Sequence, residues 1–283
     1  MSQDCCRNGV CRGAVAGRVS GEPASLRGPA GQPRGTRSIL CLVAVALAAS
    51  GCASLLPAPS PLVTVPFVRG REPGRTLVVL LPGRFDDAGD FAKHGFPQAA
   101  VEAGVDADFV AVNATLGYYA RRTVLIRLRE DVILPARARG YRRIYLAGVS
   151  LGGLGGLLYA RDHGDEIDGV LAIAPFLGER DIIDEIAGAG GLAGWSAPVP
   201  AGDDFRALWQ WLKGAASPAA AGPQLCLAWG GGDDFARANR LLADVLPPER
   251  VLTEEGGHDW RTWRRLWSEW LARAPLPRTV PGP

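Results

Sequence analysis

The stretch Gly-Val-Ser-Leu-Gly at 148–152 combines a serine with a backbone that can turn sharply. The apolar run at 143–147 predicts a buried strand, and the Gly- and Leu-rich run at 151–160 predicts a helix. A tight turn between two such elements strains the serine backbone and leaves room only for glycine two residues to either side. The start of the helix would also direct N–H groups toward Ser150. Ser150 is therefore a candidate nucleophile, although a chain with 37 glycines can contain such a turn without any chemistry.

Two later loops supply a carboxylate and an imidazole. An apolar strand predicted at 224–229 runs into a glycine loop that ends in Asp233 and Asp234, and a second short strand precedes His258. The chain order serine, aspartate, histidine, with each residue after a strand, is one of the orders found in catalytic triads. In this interpretation His258 takes the proton of Ser150, and one of the two adjacent aspartates orients the imidazole.

On these residues the chain resembles the α/β-hydrolase superfamily, in particular its esterase-like and lipase-like serine hydrolases, over about 76–271. The resemblance implies a mostly parallel, doubly wound α/β sheet and attack by Ser150 on an acyl carbonyl. The superfamily spacing Gly-x-x-Asp, counted from Gly230, implies that Asp233 is the acid.

The resemblance also implies an oxyanion hole formed by the backbone N–H groups of Leu151 and Arg84. Arg84 follows the strand predicted at 76–81, in a loop that begins Pro82-Gly83 where many relatives carry His-Gly. One such donor is typically worth on the order of a hundred- to a thousandfold in turnover.

The rest of the chain alternates strands and helices, which predicts a mostly parallel sheet covered on both faces. Further strands are predicted at 108–113 and 167–174, and further helices at 90–104 and 121–139. The stretch 62–68 is predicted to be an edge strand, because Pro66 cannot donate a hydrogen bond to a neighbouring strand.

The pattern changes at about 177–222, where short helical stretches alternate with residues rich in Gly, Ala and Pro. Hydrolases of the resembled superfamily insert a cap at this point. Trp195, Trp209 and Trp211 lie in the insertion. Two interpretations stay open: the tryptophans form an acyl pocket above Ser150, or they hold the insertion to the sheet.

A short apolar run at 39–49 follows Arg34 and Arg37 and leads through small residues to Cys52. The run is too short to span a bilayer, and its pattern is typical of a secretory signal. Small residues directly before a cysteine resemble a bacterial lipobox, which implies lipidation of Cys52. An ordinary signal peptide cleaved near Ala53 and a retained apolar anchor are the alternatives.

The predicted organisation is therefore a leader at 1–52, a Pro-rich tether with an edge strand at 53–70, one hydrolase domain at 71–275 and a tail at 276–283. We expect the protein to be lipid-anchored at the cell envelope. A periplasmic or secreted location is the alternative.

Composition restricts the classes of partner. The net charge of +2 over 283 residues is too small to indicate a nucleic-acid partner. The sequence shows no metal-ligand spacing and no phosphate-binding loop, so we predict neither a metal nor a cofactor. The expected activity is cleavage of a carboxylic ester or thioester, with a small acyl compound as the substrate and a lipid-like one as an option. The alternatives are a noncatalytic binding lipoprotein, an acyltransferase or a peptidase on the same triad, and the oligomeric state stays open.

Overall fold

The computed structural model describes residues 57–68, 70, 76–217 and 221–279. The strands of this part form one seven-stranded sheet in the order β1-β3-β2-β4-β5-β6-β7. The strands are β1 (Thr64–Val68), β2 (Thr76–Leu81), β3 (Asp108–Val112), β4 (Arg143–Val149), β5 (Gly169–Ile173), β6 (Gln224–Gly230) and β7 (Val251–Glu254). β1 pairs with β3 antiparallel, and the other neighbouring strands are parallel. The predicted mostly parallel sheet is confirmed.

Helices connect the strands. They are α1 (Asp90–Lys93), α2 (Phe96–Glu102), α3 (Leu116–Ala120), α4 (Val124–Leu128), α5 (Leu134–Ala138), α6 (Leu151–His163), α7 (Arg180–Gly188), α8 (Asp204–Ala215), α9 (Ala236–Ala243) and α10 (Trp260–Arg273). A π-helical turn, Arg129–Ile133, lies between α4 and α5. Short 3₁₀ turns at Gly164–Glu166 and Pro248–Arg250 precede β5 and β7.

The two longest helices cover opposite faces of the sheet. Tyr145 and Leu146 are neighbours in β4, so their side chains point to opposite faces. The Tyr145 ring packs on Trp270 of α10 at a centroid distance of 6.5 Å. The Cβ of Leu146 faces Gly156 of α6, where an added methyl would lie 3.8 Å away. The sheet is therefore doubly wound, and the small residues of α6 let that helix approach β4 and β5 closely.

Two predicted helices are interrupted in the structure. The helix expected at 90–104 breaks at Gly95, whose φ of +73° is left-handed, and continues as α2. The helix expected at 121–139 begins only at Val124 and passes through the π turn before α5. Hydrophobic periodicity predicts a helical region, but it does not locate a local change of winding inside it.

The predicted edge strand is confirmed, because β1 pairs only with β3 in the described sheet. The residues from Pro57 onward, which belong to the stretch predicted to be a tether, lie against the domain. The Tyr118 hydroxyl donates to the Pro59 carbonyl at 2.6 Å, and Asp131 accepts the N–H of the buried Leu62 at 2.8 Å. The leader at 1–52, including Cys52, lies outside the described residues. Within the described ranges no helix has both the length and the apolar character needed to cross a bilayer.

Candidate active site

Ser150 lies between the end of β4 and the first residue of α6, with φ of +53° and ψ of −113°. A positive φ is strained for a residue with a side chain. A Cβ on Gly148 would overlap the backbone of Gly152, and a Cβ on Gly152 would overlap the Leu81 carbonyl. The Ser150 N–H donates to the Ile173 carbonyl of β5 at 2.8 Å. The structure thus contains the strained, glycine-flanked turn that the sequence predicts.

The structure brings together the three residues proposed as a triad. His258 Nε2 lies 2.9 Å from Ser150 Oγ, and His258 Nδ1 lies 2.8 Å from Asp233 Oδ2. The Asp233 side chain has 0% exposed surface. Its second oxygen, Oδ1, accepts the Phe235 N–H at 2.8 Å, so both carboxylate oxygens are engaged. Asp234 is exposed, and the structure places Asp233 rather than Asp234 beside the imidazole.

Backbone hydrogen bonds join the loop of Asp233 to the loop of His258. The Gly231 N–H donates to Glu254 and the Gly232 N–H donates to Gly256, both at 2.8 Å, which continues the β6–β7 pairing beyond the strands. Asp259, next to His258, accepts the N–H of Thr262 at 3.0 Å and caps α10. Asp259 therefore stabilises a helix start, as its position in the sequence suggests.

The loop that carries Arg84 lies directly beside Ser150. A Cβ on Gly83 would lie 3.6 Å from the Ser150 Cβ. Leu151 is the first residue of α6, and a first-turn N–H has no acceptor within its own helix. The two amides named from the resemblance thus belong to segments that flank the serine hydroxyl. The neighbouring Phe85 projects outward with 87% of its surface exposed and packs under the Arg84 guanidinium.

Asp86 connects this loop to the helix that follows His258, which sequence reasoning missed. The Trp260 indole N–H donates to Asp86 Oδ1 at 3.2 Å, while Asp86 Oδ2 lies 2.5 Å from where a Gly83 Cβ would be. Burial raises the pKa of the Asp86 carboxyl above its ordinary value, although the indole N–H opposes the shift. The sequence contains no local signal for this contact, because 174 residues separate its partners.

Aromatic rings enclose the imidazole of His258. Phe235 and Trp263 approach it edge-on at centroid distances of 4.8 and 4.9 Å. Phe235 in turn contacts Phe176 at 5.4 Å. The two other histidines lie elsewhere: His94 stacks on Trp260, and His163 packs near Tyr159. His258 is thus the histidine that the structure brings to Ser150.

Two of the three tryptophans of the insertion, Trp195 and Trp209, are buried and do not line an open pocket. The fully buried Trp209 donates its indole N–H to the Leu177 carbonyl at 2.8 Å. Trp195, also buried, donates to Glu185 at 2.9 Å. Trp211 borders an open cavity together with Gly164 and Pro223, residues that flank the amino ends of β5 and β6, opposite the end that carries Ser150. The contacts therefore support a structural role for Trp195 and Trp209 within the insertion and give no support to an acyl pocket at Trp211.

A buried aspartate, an imidazole and a serine hydroxyl in one hydrogen-bonded chain can activate the hydroxyl as a nucleophile. Among the described residues no group of His, Cys, Asp and Glu side chains is arranged to hold a metal ion.

No family model matches this sequence, and no curated protein sequence matches it. Solved structures do. Est1E from Butyrivibrio proteoclasticus is 17% identical with a TM-score of 0.51, and the match covers 75% of this chain and 91% of Est1E. The fluorophosphonate-binding serine hydrolase FphF from Staphylococcus aureus is 13% identical with a TM-score of 0.50, covering 76% of this chain and 98% of FphF. At such identities the likeness shows the fold, and the chain has the α/β-hydrolase fold.

Proposed function

We propose that the protein is a serine hydrolase that cleaves a carboxylic ester or thioester through an acyl-enzyme intermediate. The observation that carries the proposal is the hydrogen-bonded chain from Ser150 through His258 to the buried Asp233. The fold alone would not carry it, since the same fold supports many functions. The side chains and their order of contact are those that covalent acyl transfer requires.

In the proposed mechanism Ser150 Oγ attacks the acyl carbonyl while His258 Nε2 takes its proton. The resulting oxyanion is stabilised by the N–H groups of Leu151 and Arg84. His258 then donates the proton to the departing alcohol or thiol, and a water molecule attacks the acyl-serine with the same nitrogen as base. Asp233 stays ionised, holds the proton on Nδ1 and stabilises the imidazolium.

The test is covalent labelling by a fluorophosphonate, which requires an activated serine. Wild-type protein should be labelled, Ser150→Ala should not be labelled, and Ser150→Ala should lose ester hydrolysis by at least about ten-thousandfold. Cys226→Ala is the matched control. Burial raises the pKa of the Cys226 thiol, so this side chain is a poor nucleophile and its loss should not affect labelling. Equal labelling of wild type and Ser150→Ala would remove the assignment.

We further propose that a lipid on Cys52 anchors the enzyme to the cell envelope. Small or lipid-like acyl compounds at the envelope would then be its substrates. Support comes from the signal-like apolar run and the small residues before the cysteine. In a bacterial host fed an alkyne fatty acid, Cys52→Ser should abolish acyl labelling. Cys41→Ser, a cysteine within the apolar run, should leave labelling intact. A mature N-terminus at a residue other than Cys52 would contradict the anchor.

A further inference from the structure

Three phenylalanines extend from the insertion to the triad. Phe205 of α8 contacts Phe176 at a centroid distance of 5.5 Å and an interplanar angle of 89°. Phe176 contacts Phe235 at 5.4 Å, and Phe235 contacts the His258 imidazole at 4.8 Å. We call Phe176, Phe205 and Phe235 the aromatic wall. All three rings are half-buried, so the wall has an accessible side.

Backbone hydrogen bonds position two residues of the aromatic wall beside the triad. The Phe176 N–H donates to the Ser150 carbonyl at 3.2 Å. The Phe235 N–H donates to Asp233 at 2.8 Å. Two of the three rings are therefore carried by residues that are hydrogen-bonded to triad members, and the wall begins beside the His258 imidazole.

Phe205 is held by a close approach of the backbone. Gly178 has a φ of +117°, and a Cβ at this position would lie 3.2 Å from the Phe205 ring and 2.8 Å from Ile182. Glycine at 178 thus lets the loop after β5 lie against the ring. The ion pair of Arg206, the residue after Phe205 in α8, with Glu185 of α7 joins these two helices.

We propose that the aromatic wall selects substrates that carry an aromatic ring on one of the two groups attached to the scissile carbonyl. This inference rests on the proposed function. The Phe176 and Phe205 rings meet edge to face and the Phe235 ring is tilted at 58° to Phe176, so the half-buried wall offers both ring faces and ring edges to a further ring. Each such aromatic pair is worth about 0.5–1.5 kcal/mol beyond the burial of apolar area, a gain that an alkyl chain does not obtain. Contact with one or two rings corresponds to roughly a 2- to 140-fold preference.

Two substrate pairs test the selection, one for each side of the carbonyl: methyl 3-phenylpropanoate against methyl hexanoate, and benzyl acetate against hexyl acetate. In at least one pair wild-type protein should show a kcat/KM at least about twofold higher for the aromatic member. Phe205→Leu keeps an apolar side chain but removes one of the three rings, and it should lower that ratio by about the two- to tenfold that one aromatic pair is worth.

Trp211→Leu is the matched control, since Trp211 lies on the same helix but borders a cavity away from the triad. It should leave the ratio unchanged. Labelling by a fluorophosphonate is measured for every variant and separates the two proposals. Ser150-dependent labelling with no aromatic preference in wild type, or with a preference that Phe205→Leu leaves unchanged, would overturn the aromatic wall alone. Absence of labelling in wild type would overturn the proposed function and the selection together.

Discussion

Substitution of Asp233 by asparagine should nearly abolish activity without disturbing the fold. The substitution keeps the size of the side chain but replaces one carboxylate oxygen by an NH₂ group. In the wild-type structure Oδ1 accepts the Phe235 N–H and Oδ2 faces His258 Nδ1. Asparagine cannot satisfy both contacts in the same way, because it has one acceptor oxygen where the carboxylate has two.

One orientation of the new amide lowers stability, and the other impairs catalysis. If its NH₂ group faces the Phe235 N–H, two donors meet, at a cost of about 1–3 kcal/mol for the unsatisfied buried groups. If its oxygen faces Phe235, the NH₂ group donates to Nδ1 of His258, and the imidazole proton moves to Nε2. That nitrogen faces Ser150 Oγ at 2.9 Å and can then no longer accept the serine proton. The expected loss in kcat is about ten-thousandfold, equivalent to about 5 kcal/mol in the activation free energy.

The assay compares kcat/KM for ester hydrolysis and the rate of fluorophosphonate labelling, with circular dichroism as a check on folding. Asp234→Asn is the matched control. The Asp234 side chain is exposed and next to the proposed acid, so its substitution should change kcat by less than about threefold, the small effect usual for a surface substitution. A larger loss in Asp234→Asn than in Asp233→Asn, or a loss below tenfold in Asp233→Asn, would refute the tautomer argument.

Three further substitutions test the turn, the backbone strain and the cap. Gly152→Ala should abolish labelling and lower the Tm by at least about 2 °C, because the new Cβ would overlap backbone carbonyls. The control, Gly156→Ala, should keep both the labelling and the Tm of wild type, since its Cβ would meet only a methyl group at 3.1 Å. Equal effects of the two substitutions would contradict the steric argument. Ala174→Gly should change the free energy of unfolding by less than about 1 kcal/mol in chemical denaturation, because relief of the left-handed backbone at a φ of +47° offsets the loss of a fully buried methyl group; a decrease of about 2 kcal/mol or more would show that this backbone is not strained. Hydrogen bonds from the Arg206 guanidinium, and to a lesser degree from the Trp195 indole, lower the pKa of Glu185 from 4.5 to about 2. The ionised form of Glu185 therefore stabilises the fold fully above about pH 4.5, and this contribution is lost as the pH falls toward about 2. The Tm of wild type should therefore fall more steeply than that of Glu185→Gln over this interval, and parallel curves would exclude the linkage.

Much of the fold could be predicted because its central strands are short, largely apolar runs. The runs at 76–81 and 224–229 match β2 and β6 within one residue. Buried parallel strands require such runs, and the requirement is local. The winding of the 121–139 region was missed, because a π turn at Arg129–Ile133 depends on what the helix packs against and not on its hydrophobic period.

The sequence by itself determined the positions of the nucleophile turn, the acid loop and the histidine loop. Glycine spacing and strand ends act through backbone conformation within a few residues, and such effects are visible in the sequence. Only the tertiary structure decided that Trp209 anchors the insertion, that Asp86 joins the loop of Arg84 to Trp260, and that the aromatic wall begins beside His258. The reason is physical: these partners come from separate loops, and they meet only when the assembled sheet brings the carboxyl ends of its strands to one edge.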